Sequence, residues 1–502
     1  MFKKFFQNSK NKDLFIIILL IFFTLLTRLV VLLDVNLFID GDEAIFGRMI
    51  NDFINNGQWP LFFYGQNYGL VFFEVLLSAI VSLFFGINIF TMKATMLIFW
   101  LGSIVVLYYV AKKILKSRSW AFLTTILISS IPVWLDWSIK ARGGYLTAFL
   151  LSNIVIYLSL LKKTRLRIIF ISLFLVIIYY AQPLWLVILL PFVVYYLIDR
   201  FKLNNLIAFL LSGIIFYFIS HFFITFLGFQ FQTQNRLGLS QVTDNIKNIY
   251  NHYLVSYSGG FFDSAVFNIN VNLKVISMIF IITFVITIFY NLYLAIKKRN
   301  TKVNLILLSS VLLYILFMLF YNDKEYGYRF LLPIFIPAVL LIVTTLKKLI
   351  SVKYEKFLYL VLIFFAVISS YIGVNSYNHI YPELGDGITE IQRLELLEGY
   401  LNSNDVQCVY ALDWLISQHL YYFMPNIASR HQSMDLRRPE ASNQVDELRQ
   451  SGNCALVGLW YQLPSFTSQY LAQEIMIIGN RYIVKINPSK ESLNELNFEL
   501  TN

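Results

Sequence analysis

Long runs of apolar residues, separated by short segments rich in lysine and arginine, make up most of this chain. Leu14–Leu33, Val275–Ile296 and Phe357–Val374 are three of these runs, and they contain almost no charged residues. A helix of about 20 apolar residues crosses the hydrocarbon core of a bilayer. The pattern therefore predicts an all-α polytopic membrane protein with about eleven spanning helices. The predicted spans are residues 14–33, 94–111, 120–135, 145–161, 168–181, 184–198, 205–227, 275–296, 303–321, 330–346 and 357–375.

The basic residues between the apolar runs give the predicted orientation of the helices. The chain of 502 residues has a net charge of +11, but only 14% of its residues are charged, whereas soluble domains have about 25%. Its lysines and arginines form short clusters, for example at residues 112–118, 162–167 and 297–302, as is typical of cytoplasmic loops. The positive charge therefore reflects membrane topology, and we predict no nucleic-acid partner.

One apolar run, Leu70–Ile87, does not fit this orientation. If it crossed the membrane, every later basic cluster would lie on the outer face. It carries Glu74 and follows the glycine-containing segment Tyr64–Gly69. We interpret it as a helix that lies in or dips into the outer leaflet. The alternative, that it crosses and the later basic clusters break the rule, stays open.

The composition changes near Ser376, where the chain becomes polar with interspersed charges. This change divides the chain into a transmembrane module, residues 1–375, and a small extracytoplasmic α/β domain, residues 376–502. Turn residues bound the predicted elements of the domain. They are the strands Val406–Leu412, Cys454–Leu459 and Ile475–Ile486 and the helices Asp413–Phe423 and Gln444–Arg449.

Both cysteines of the chain, Cys408 and Cys454, lie near the starts of predicted strands in this domain. On an oxidising outer face they can form a disulfide, and as free thiols they can equally pack in the domain core. The sequence has no His/Cys spacing typical of a metal site. We predict neither a metal nor another cofactor.

An acidic cluster follows the first apolar run, in the first outer loop at about residues 34–93. Asp40, Asp42 and Glu43 lie at the mouth of a membrane helix, where carboxylates are costly and usually functional. Basic and polar side chains are predicted at the same face. They are Arg28 inside the first helix, about one turn from its outer end, Tyr64, Gln66 and Tyr68 in the first loop, Lys140 and Arg142 in the second outer turn, and Tyr328 and Arg329 before the span at 330–346.

These residue types suit the transfer of a group from a phosphate-bearing lipid to a nucleophile. A carboxylate can deprotonate a hydroxyl acceptor, and an arginine can bind a phosphate through paired hydrogen bonds. Each residue also has a structural explanation, which stays open. Asp42 and Glu43 can begin a helix, and Arg28 can extend to the lipid headgroups. Arg142 and Arg329 can anchor helix ends.

Four short motifs together resemble a known family. They are Thr27-Arg28, Asp42-Glu43-Ala44, the run Gly57–Pro60 followed by Phe62–Gly69 and Glu74, and Tyr328-Arg329-Phe330-Leu331-Leu332-Pro333. They are similar to motifs of the GT-C glycosyltransferases, more closely the branch with the protein O-mannosyltransferases and the lipid A aminoarabinose transferase. The resemblance covers about residues 1–345 in layout.

The resemblance implies a GT-C-like fold with non-spanning juxtamembrane helices in the first outer loop. It implies a sugar donor carried on a polyprenyl phosphate and inversion at the anomeric carbon. Asp42 would activate the acceptor, with Glu43 as its companion. Arg28, Arg142 and Arg329 would contact the phosphate or the headgroups.

The sequence departs from the family at two places. The aminoarabinose branch has Lys-Pro after its loop helices, where this chain has Gln66-Asn67. Several relatives have an acidic residue near the second outer turn, where this chain has Arg142-Gly143-Gly144-Tyr145. The second difference argues against a metal-dependent, oligosaccharyltransferase-like activity.

We therefore predict an inverting glycosyltransferase of the cell inner or plasma membrane, with its active site on the extracytoplasmic side. Its partners would be a polyprenyl-phosphate-linked sugar, membrane lipid and an acceptor glycan, lipid or protein. A flippase or transporter of lipid-linked glycans is the alternative, although few ionisable residues lie in the middle of the predicted spans. A third hypothesis is a scaffold of a polysaccharide-assembly complex that transfers nothing itself.

Overall fold

The computed structural model describes the larger part of the chain. The described residues are 9–33, 39–64, 69–198, 203–227, 245–247, 249, 271–321, 328–378, 390–411, 420, 431–433, 453–459, 476–478 and 482–486. Two site candidates, Gln66 and Tyr68, lie outside them, as do the side chain of Tyr328, the predicted helix Gln444–Arg449 and nearly all of the predicted helix Asp413–Phe423.

Helices account for nearly all of the described residues before residue 404. In chain order they are α1 (Ser9–Leu32), α2 (Gly41–Asn55), α3 (Phe72–Phe85), α4 (Ile89–Leu115), α5 (Arg118–Ser129), α6 (Pro132–Trp137), α7 (Tyr145–Ser159), α8 (Arg165–Ala181), α9 (Leu184–Ile198), α10 (Leu203–Phe226), α11 (Val271–Ile296), α12 (Lys302–Leu319), the 3-10 helix η1 (Tyr328–Ile334), α13 (Phe335–Leu349), α14 (Val352–Asn378) and α15 (Glu390–Ser403). Ten of the eleven predicted spans coincide with a single helix, counting η1 with α13, and the span 120–135 is divided between α5 and α6.

The chain is a multi-pass membrane protein. Within the described residues, seven helices are long and apolar enough to cross a membrane: α1, α4, α10, α11, α12, α13 with its 3-10 start, and α14. The helices α5, α7, α8 and α9 have 12, 15, 17 and 15 residues, which is short of the roughly 20 residues of a perpendicular span. That these four also cross the bilayer stays a prediction.

The prediction of one continuous helix over residues 120–135 was wrong. The helix α5 ends at Ser129, and α6 begins at Pro132 after an extended Ile131 (ψ 126°). Proline has no backbone N–H, and it disfavours the helical conformation in the residue before it. The resulting break leaves backbone carbonyl groups at the end of α5 free of helical partners, and Arg28 binds there.

The structure agrees with the prediction that the run at residues 70–87 does not cross the membrane. The helix α3 has 14 residues, a length of about 21 Å. Asp13, near the start of α1, is ion-paired with Lys112 at the end of α4 (2.5 Å) and with Arg118 at the start of α5 (2.8 Å). The start of α1 and the end of α4 therefore lie close together. If α1 and α4 both cross the bilayer, the segment between them makes no net crossing, and that α3 does not span stays a prediction.

The chain forms two compact units, which do not follow the predicted boundary at residue 375. The first consists of Met1–Leu32, Pro60–Val81 and Lys93–Tyr377. The second consists of Leu33–Trp59, Ser82–Met92 and Asn378–Asn502. The change in composition lies close to the boundary at residue 378. It does not reveal that α2 belongs to the second unit, because that depends on tertiary contacts.

Part of the second unit is a five-stranded sheet with the order β2-β1-β3-β5-β4. Its strands are β1 (Cys408–Ala411), β2 (His431–Ser433), β3 (Cys454–Leu459), β4 (Met476–Ile478) and β5 (Tyr482–Ile486). The strand β1 is parallel to β2 and β3, whereas β5 is antiparallel to β3 and β4. The prediction of β3 is confirmed. That of one strand over Ile475–Ile486 was wrong, because the chain reverses between β4 and β5.

The core of the sheet includes an amphipathic helix that the sequence analysis did not predict. Leu394, Leu397 and Leu401 on one face of α15 pack with alternate residues of the strands, such as Ala455 and Val457. Spacings of three to four residues in a helix and two in a strand each place side chains on a single face. The sheet and α15 therefore share one apolar core.

The two cysteines form a disulfide. Cys454 is disulfide-bonded, and Cys408, the only other cysteine of the chain, is its Cα partner in the register of β1 with β3. This bond removes the alternative of two free thiols in the core.

Candidate functional site

The acidic cluster forms the N-terminus of α2. Asp40 is the N-cap residue, and its Oδ1 accepts a hydrogen bond from the backbone N–H of Glu43 (2.9 Å). In return, the backbone N–H of Asp40 donates to Oε2 of Glu43 (3.3 Å). This reciprocal arrangement is a capping box, which satisfies donors that have no partner within the helix. The side chains of Asp40 and Glu43 therefore have a structural role in starting α2.

Asp42 takes no part in the capping box, although it lies in the same turn. Its side chain is largely buried, with 6% of the residue exposed. The partial positive charge of a helix N-terminus stabilises a carboxylate at this position. Of the two acids assigned as catalytic, Glu43 is thus accounted for by the helix start. Asp42 is the acid that the capping box does not require.

Arg28 binds in the break between α5 and α6. It is completely buried (0% exposed), and its Nη2 donates to the carbonyl oxygens of Ser129 (2.6 Å) and Trp134 (3.3 Å). Its Nε donates to Ser138 Oγ (3.1 Å), and its guanidinium lies 5.6 Å from the ring centre of Trp100. A direct phosphate contact would have to replace these hydrogen bonds. We therefore propose that Arg28 positions the second outer turn.

The first outer loop and the second outer turn meet within the first unit. Phe62 and Leu70 form an antiparallel bridge at the base of a hairpin that contains Tyr64. The Leu70 N–H donates to the Tyr180 carbonyl oxygen at the end of α8 (2.9 Å). Nearby, Gln182 Nε2 donates to the carbonyl oxygen of Gly143 (2.8 Å). The end of α8 therefore holds both the hairpin and the turn.

Glu74 joins these two segments more directly. This residue of α3 is 1% exposed. Its Oε1 accepts hydrogen bonds from the backbone N–H (2.9 Å) and Oγ1 (3.0 Å) of Thr147, and its Oε2 accepts one from the Gly144 N–H (3.2 Å). The carboxylate thus satisfies donors at the N-terminus of α7, where negative charge is favoured. The sequence analysis did not include Glu74 among the site residues; the signal was an acid within an otherwise apolar run.

We expect Glu74 to give the stability of the protein a distinctive pH dependence. Burial raises the pKa of Glu74 from about 4.5 to about 7, although the N–H donors of α7 oppose that shift. The folded state then binds a proton that the unfolded state releases, so this contribution to stability decreases as the pH rises from about 4.5 to about 7. Glu74→Gln should remove that slope from unfolding midpoints measured in detergent between these pH values. Identical slopes in the two proteins would contradict the expectation.

Arg142 lies in the turn next to Gly143 and Gly144, and is partly exposed. Its guanidinium is 5.7 Å from the ring centre of Trp137, and Tyr145 packs on the same ring at 4.5 Å. The rigid indole restricts the directions that the arginine can take. Arg142 is thus held next to the hairpin while part of its side chain still reaches the surface.

A buried ion pair lies beneath this turn. Lys140 Nζ is 3.7 Å from Asp136 Oδ2, and the two residues are 5% and 2% exposed. The Lys140 ammonium is also 5.8 Å from the ring centre of Trp137. Buried charges are retained only when they are paired, so we assign this pair to the structure of the turn.

Arg329 is carried by η1, where the chain enters α13. The Tyr314 hydroxyl of α12 donates to the carbonyl oxygen of Phe330 and so holds the residue after Arg329. The Arg329 guanidinium is 5.1 Å from the ring centre of Phe330, and the residue is partly exposed. Its side chain therefore remains available for an anionic ligand.

An apolar cavity of about 500 Å³ lies between α8, α9 and α10. Val176, Tyr179, Leu190, Phe209 and Tyr217 are among the residues that line it. Tyr180, next to Tyr179 in α8, is the residue whose carbonyl oxygen holds Leu70. Val176 and Tyr179, which line the cavity, also pack against the buried cluster that includes Phe62, so the cavity adjoins the base of the hairpin. Sequence periodicity does not predict such a space, because apolar residues line these helices on all sides.

Among the residues that the structure describes, no three His, Cys, Asp or Glu side chains come together in a way that could hold a metal ion. The expectation that the protein needs no metal stays a prediction.

Comparison with known proteins identifies the fold. No protein-family model matches the chain, and no curated protein does. Among solved structures, the chain is similar to ArnT from Cupriavidus metallidurans in the apo state, with a TM-score of 0.55 and 13% identity over 94% of this chain and 97% of that chain. ArnT from the same organism bound to undecaprenyl phosphate has a TM-score of 0.53 and 13% identity, over 95% and 98%. The chain thus has the fold of these two ArnT structures, which is the GT-C-like fold that the motifs implied.

Proposed function

We propose that this protein is an integral-membrane inverting glycosyltransferase that transfers a sugar from a polyprenyl-phosphate donor to a hydroxyl acceptor on the extracytoplasmic face of the cell membrane. The observation that carries this proposal is the similarity to ArnT over nearly the whole of both chains, including a structure of ArnT bound to undecaprenyl phosphate. Because one fold hosts many functions, the side chains of this protein must support the proposal as well.

The cavity between α8, α9 and α10 supports a polyprenyl donor. A polyprenyl chain is apolar, and ligand pockets of a few hundred cubic ångströms with apolar walls suit such ligands. Its lining residues Val176 and Tyr179 pack against the buried cluster at the base of the hairpin of Phe62 and Leu70, which the structure holds against the turn that bears Arg142. A lipid tail in the cavity would thus direct its phosphate toward the polar segments of the first unit.

The proposed chemistry divides between an acid and basic groups. Asp42 acts as the base that takes the proton of the acceptor hydroxyl, and the oxygen then attacks the anomeric carbon. The bond from that carbon to the donor phosphate breaks, so the configuration inverts and polyprenyl phosphate leaves. Arg142 and Arg329 stabilise the departing phosphate, which is electrostatic help of a kind that is often large. Tyr64 and the candidates Gln66, Tyr68 and Tyr328 complete the proposed contacts with substrate.

The disulfide supports the proposed location of the second unit. Disulfides persist in oxidising compartments and are rare in the cytosol. The bond between Cys408 and Cys454 therefore favours an extracytoplasmic C-terminal sheet, in agreement with the basic clusters of the predicted cytoplasmic loops.

The proposal is tested by incubating the purified protein in detergent with radiolabelled polyprenyl-phosphate sugars and a lipid and glycan extract of a bacterial envelope. We expect label in an acceptor, with the anomeric configuration inverted relative to the donor. Micelles have no two leaflets, so a flippase cannot produce this signal. Absence of transfer from every donor, together with gradient-driven movement of a lipid-linked glycan in vesicles, would replace the enzyme by the transporter.

A further inference from the structure

We propose that Glu74 is a positioning residue for substrate binding: its buried carboxylate fixes the turn that carries Arg142 against the hairpin that carries Tyr64. The inference rests on the proposed function, since it assumes that Arg142 binds the phosphate of the donor. It assigns a role to a residue that does not itself touch substrate.

The Glu74 carboxylate connects two segments that are distant in sequence. Glu74 belongs to α3, the helix that continues from the hairpin, whereas its hydrogen-bond donors, Gly144 and Thr147, belong to the turn and the first residues of α7. Three hydrogen bonds from two residues hold both oxygens of the Glu74 carboxyl group. Above its pKa of about 7 the group is ionised, and hydrogen bonds to charged groups are about twice as strong as neutral ones. No rotation of the turn relative to α3 preserves all three.

The backbones of the hairpin and the turn also approach each other closely. A Cβ atom on Gly144 would lie 2.5 Å from the carbonyl oxygen of Leu70, and one on Gly69 would lie 3.2 Å from that of Gly143. The hairpin and the turn are therefore in backbone contact, and glycines on both sides make the contact possible. Arg142 precedes Gly143 in this turn, so a shift of the turn moves Arg142 by a similar distance.

The burial of Glu74 indicates that its hydrogen bonds have a specific role. A carboxylate that is 1% exposed loses its hydration on folding, and this cost is tolerated only where specific hydrogen bonds offset it. An apolar residue would fill the same space in α3 without that cost. The retained carboxylate is therefore best explained by the fixed geometry of the turn, since misplacement of a binding group by 1 Å is enough to lose much of its effect.

A double-mutant cycle with Arg142 tests the proposal. Glu74→Gln keeps the size of the side chain, but its amide group places a donor against the N–H groups of α7. We expect Glu74→Gln to weaken the binding of undecaprenyl phosphate, measured in detergent, by about tenfold. In an Arg142→Ala background the same substitution should weaken it by less than twofold, because the residue it positions is gone.

The matched control is Asp13→Asn. Asp13 is also a largely buried carboxylate that binds several donors, and it lies near the start of α1. Loss of its negative charge therefore reports the effect of general destabilisation. Its effect on binding should be the same with and without Arg142. Thr147→Val, which removes one hydrogen bond to Glu74 at constant volume, should reproduce a smaller version of the Glu74→Gln result if the latter variant fails to fold. Equal effects of Glu74→Gln in both backgrounds, or no effect, would overturn the proposal.

Amide hydrogen exchange separates this proposal from the proposed function. If the wild-type protein does not bind the lipid, the proposed function fails, and exchange at residues 142–149 then decides the positioning role. Slow exchange in the wild-type protein and faster exchange in Glu74→Gln would support it. Equal exchange in the two proteins would overturn it.

Discussion

Asp42→Asn should reduce sugar transfer by about 10²- to 10⁴-fold, the range expected when a general base is removed. Asparagine has nearly the same shape as aspartate and remains compatible with the first turn of α2, but its amide cannot accept a proton from a hydroxyl group. The helix start should survive, because the capping box is formed by Asp40 and Glu43 and not by Asp42. The measurement is the initial rate of transfer at a saturating donor concentration, together with the unfolding midpoint of each variant.

Asp52→Asn provides a control with the same chemical change in the same helix. Asp52 is also largely buried (8% exposed), and it pairs with Arg48 (3.7 Å) and accepts a hydrogen bond from Asn56 Nδ2 (2.9 Å). It therefore supports the end of α2, and its substitution should lower stability slightly while the rate per folded molecule stays unchanged. A folded Asp42→Asn protein with the wild-type rate would discard Asp42 as the base and leave the fold assignment intact.

Glu43→Gln distinguishes the two acids of the pair. The amide oxygen of glutamine can still accept the hydrogen bond from the N–H of Asp40, which Glu43 Oε2 accepts at 3.3 Å. We therefore expect a loss far smaller than that of Asp42→Asn. If the two substitutions had equal effects, the capping box would be an incomplete description of Glu43, and the two carboxylates would have to act together.

The parts of the fold that sequence could predict are those set by local patterns. Uninterrupted apolar segments located the helices, and the basic clusters predicted that α3 does not cross, with which the pairing of Asp13 with Lys112 agrees. Both signals arise because the bilayer acts on every residue in the same way. Pro132 is a known helix breaker, but the break there was not predicted, because the apolar run continues on both sides of it.

The parts that sequence could not predict depend on contacts between distant segments. Arg28 and Ser129 are far apart in sequence, and their hydrogen bond exists only because α1 packs beside the break after α5. Likewise, nothing near Glu74 in the chain indicates that its donors come from Gly144 and Thr147. The acidic cluster forms the start of α2, and only the capping geometry separates Glu43 from Asp42.

Gly144→Ala should destabilise the protein by more than Gly86→Ala does, because two independent costs combine at Gly144. Gly144 has φ +77°, a left-handed conformation that costs an L-residue about 1–2 kcal/mol. Its new Cβ would also lie 2.5 Å from the Leu70 carbonyl oxygen and 3.2 Å from the Ala181 Cβ. Backbone atoms cannot rotate away as a side chain can, so relief requires the hairpin and the turn to separate, at a further cost of about 1–3 kcal/mol.

Gly86→Ala isolates the second cost from the first. Gly86 has nearly the same backbone conformation (φ +78°), but the nearest atom to its Cβ would be Asn88 Nδ2 at 3.9 Å. It should therefore lose only the conformational contribution, and the difference between the two unfolding free energies measures the collision with Leu70. Because the collision moves the turn that bears Arg142, Gly144→Ala should also weaken lipid binding, whereas Gly86→Ala should not. Equal stabilities of the two variants would mean that the hairpin and the turn are not in backbone contact, and the positioning role of Glu74 would lose its structural basis.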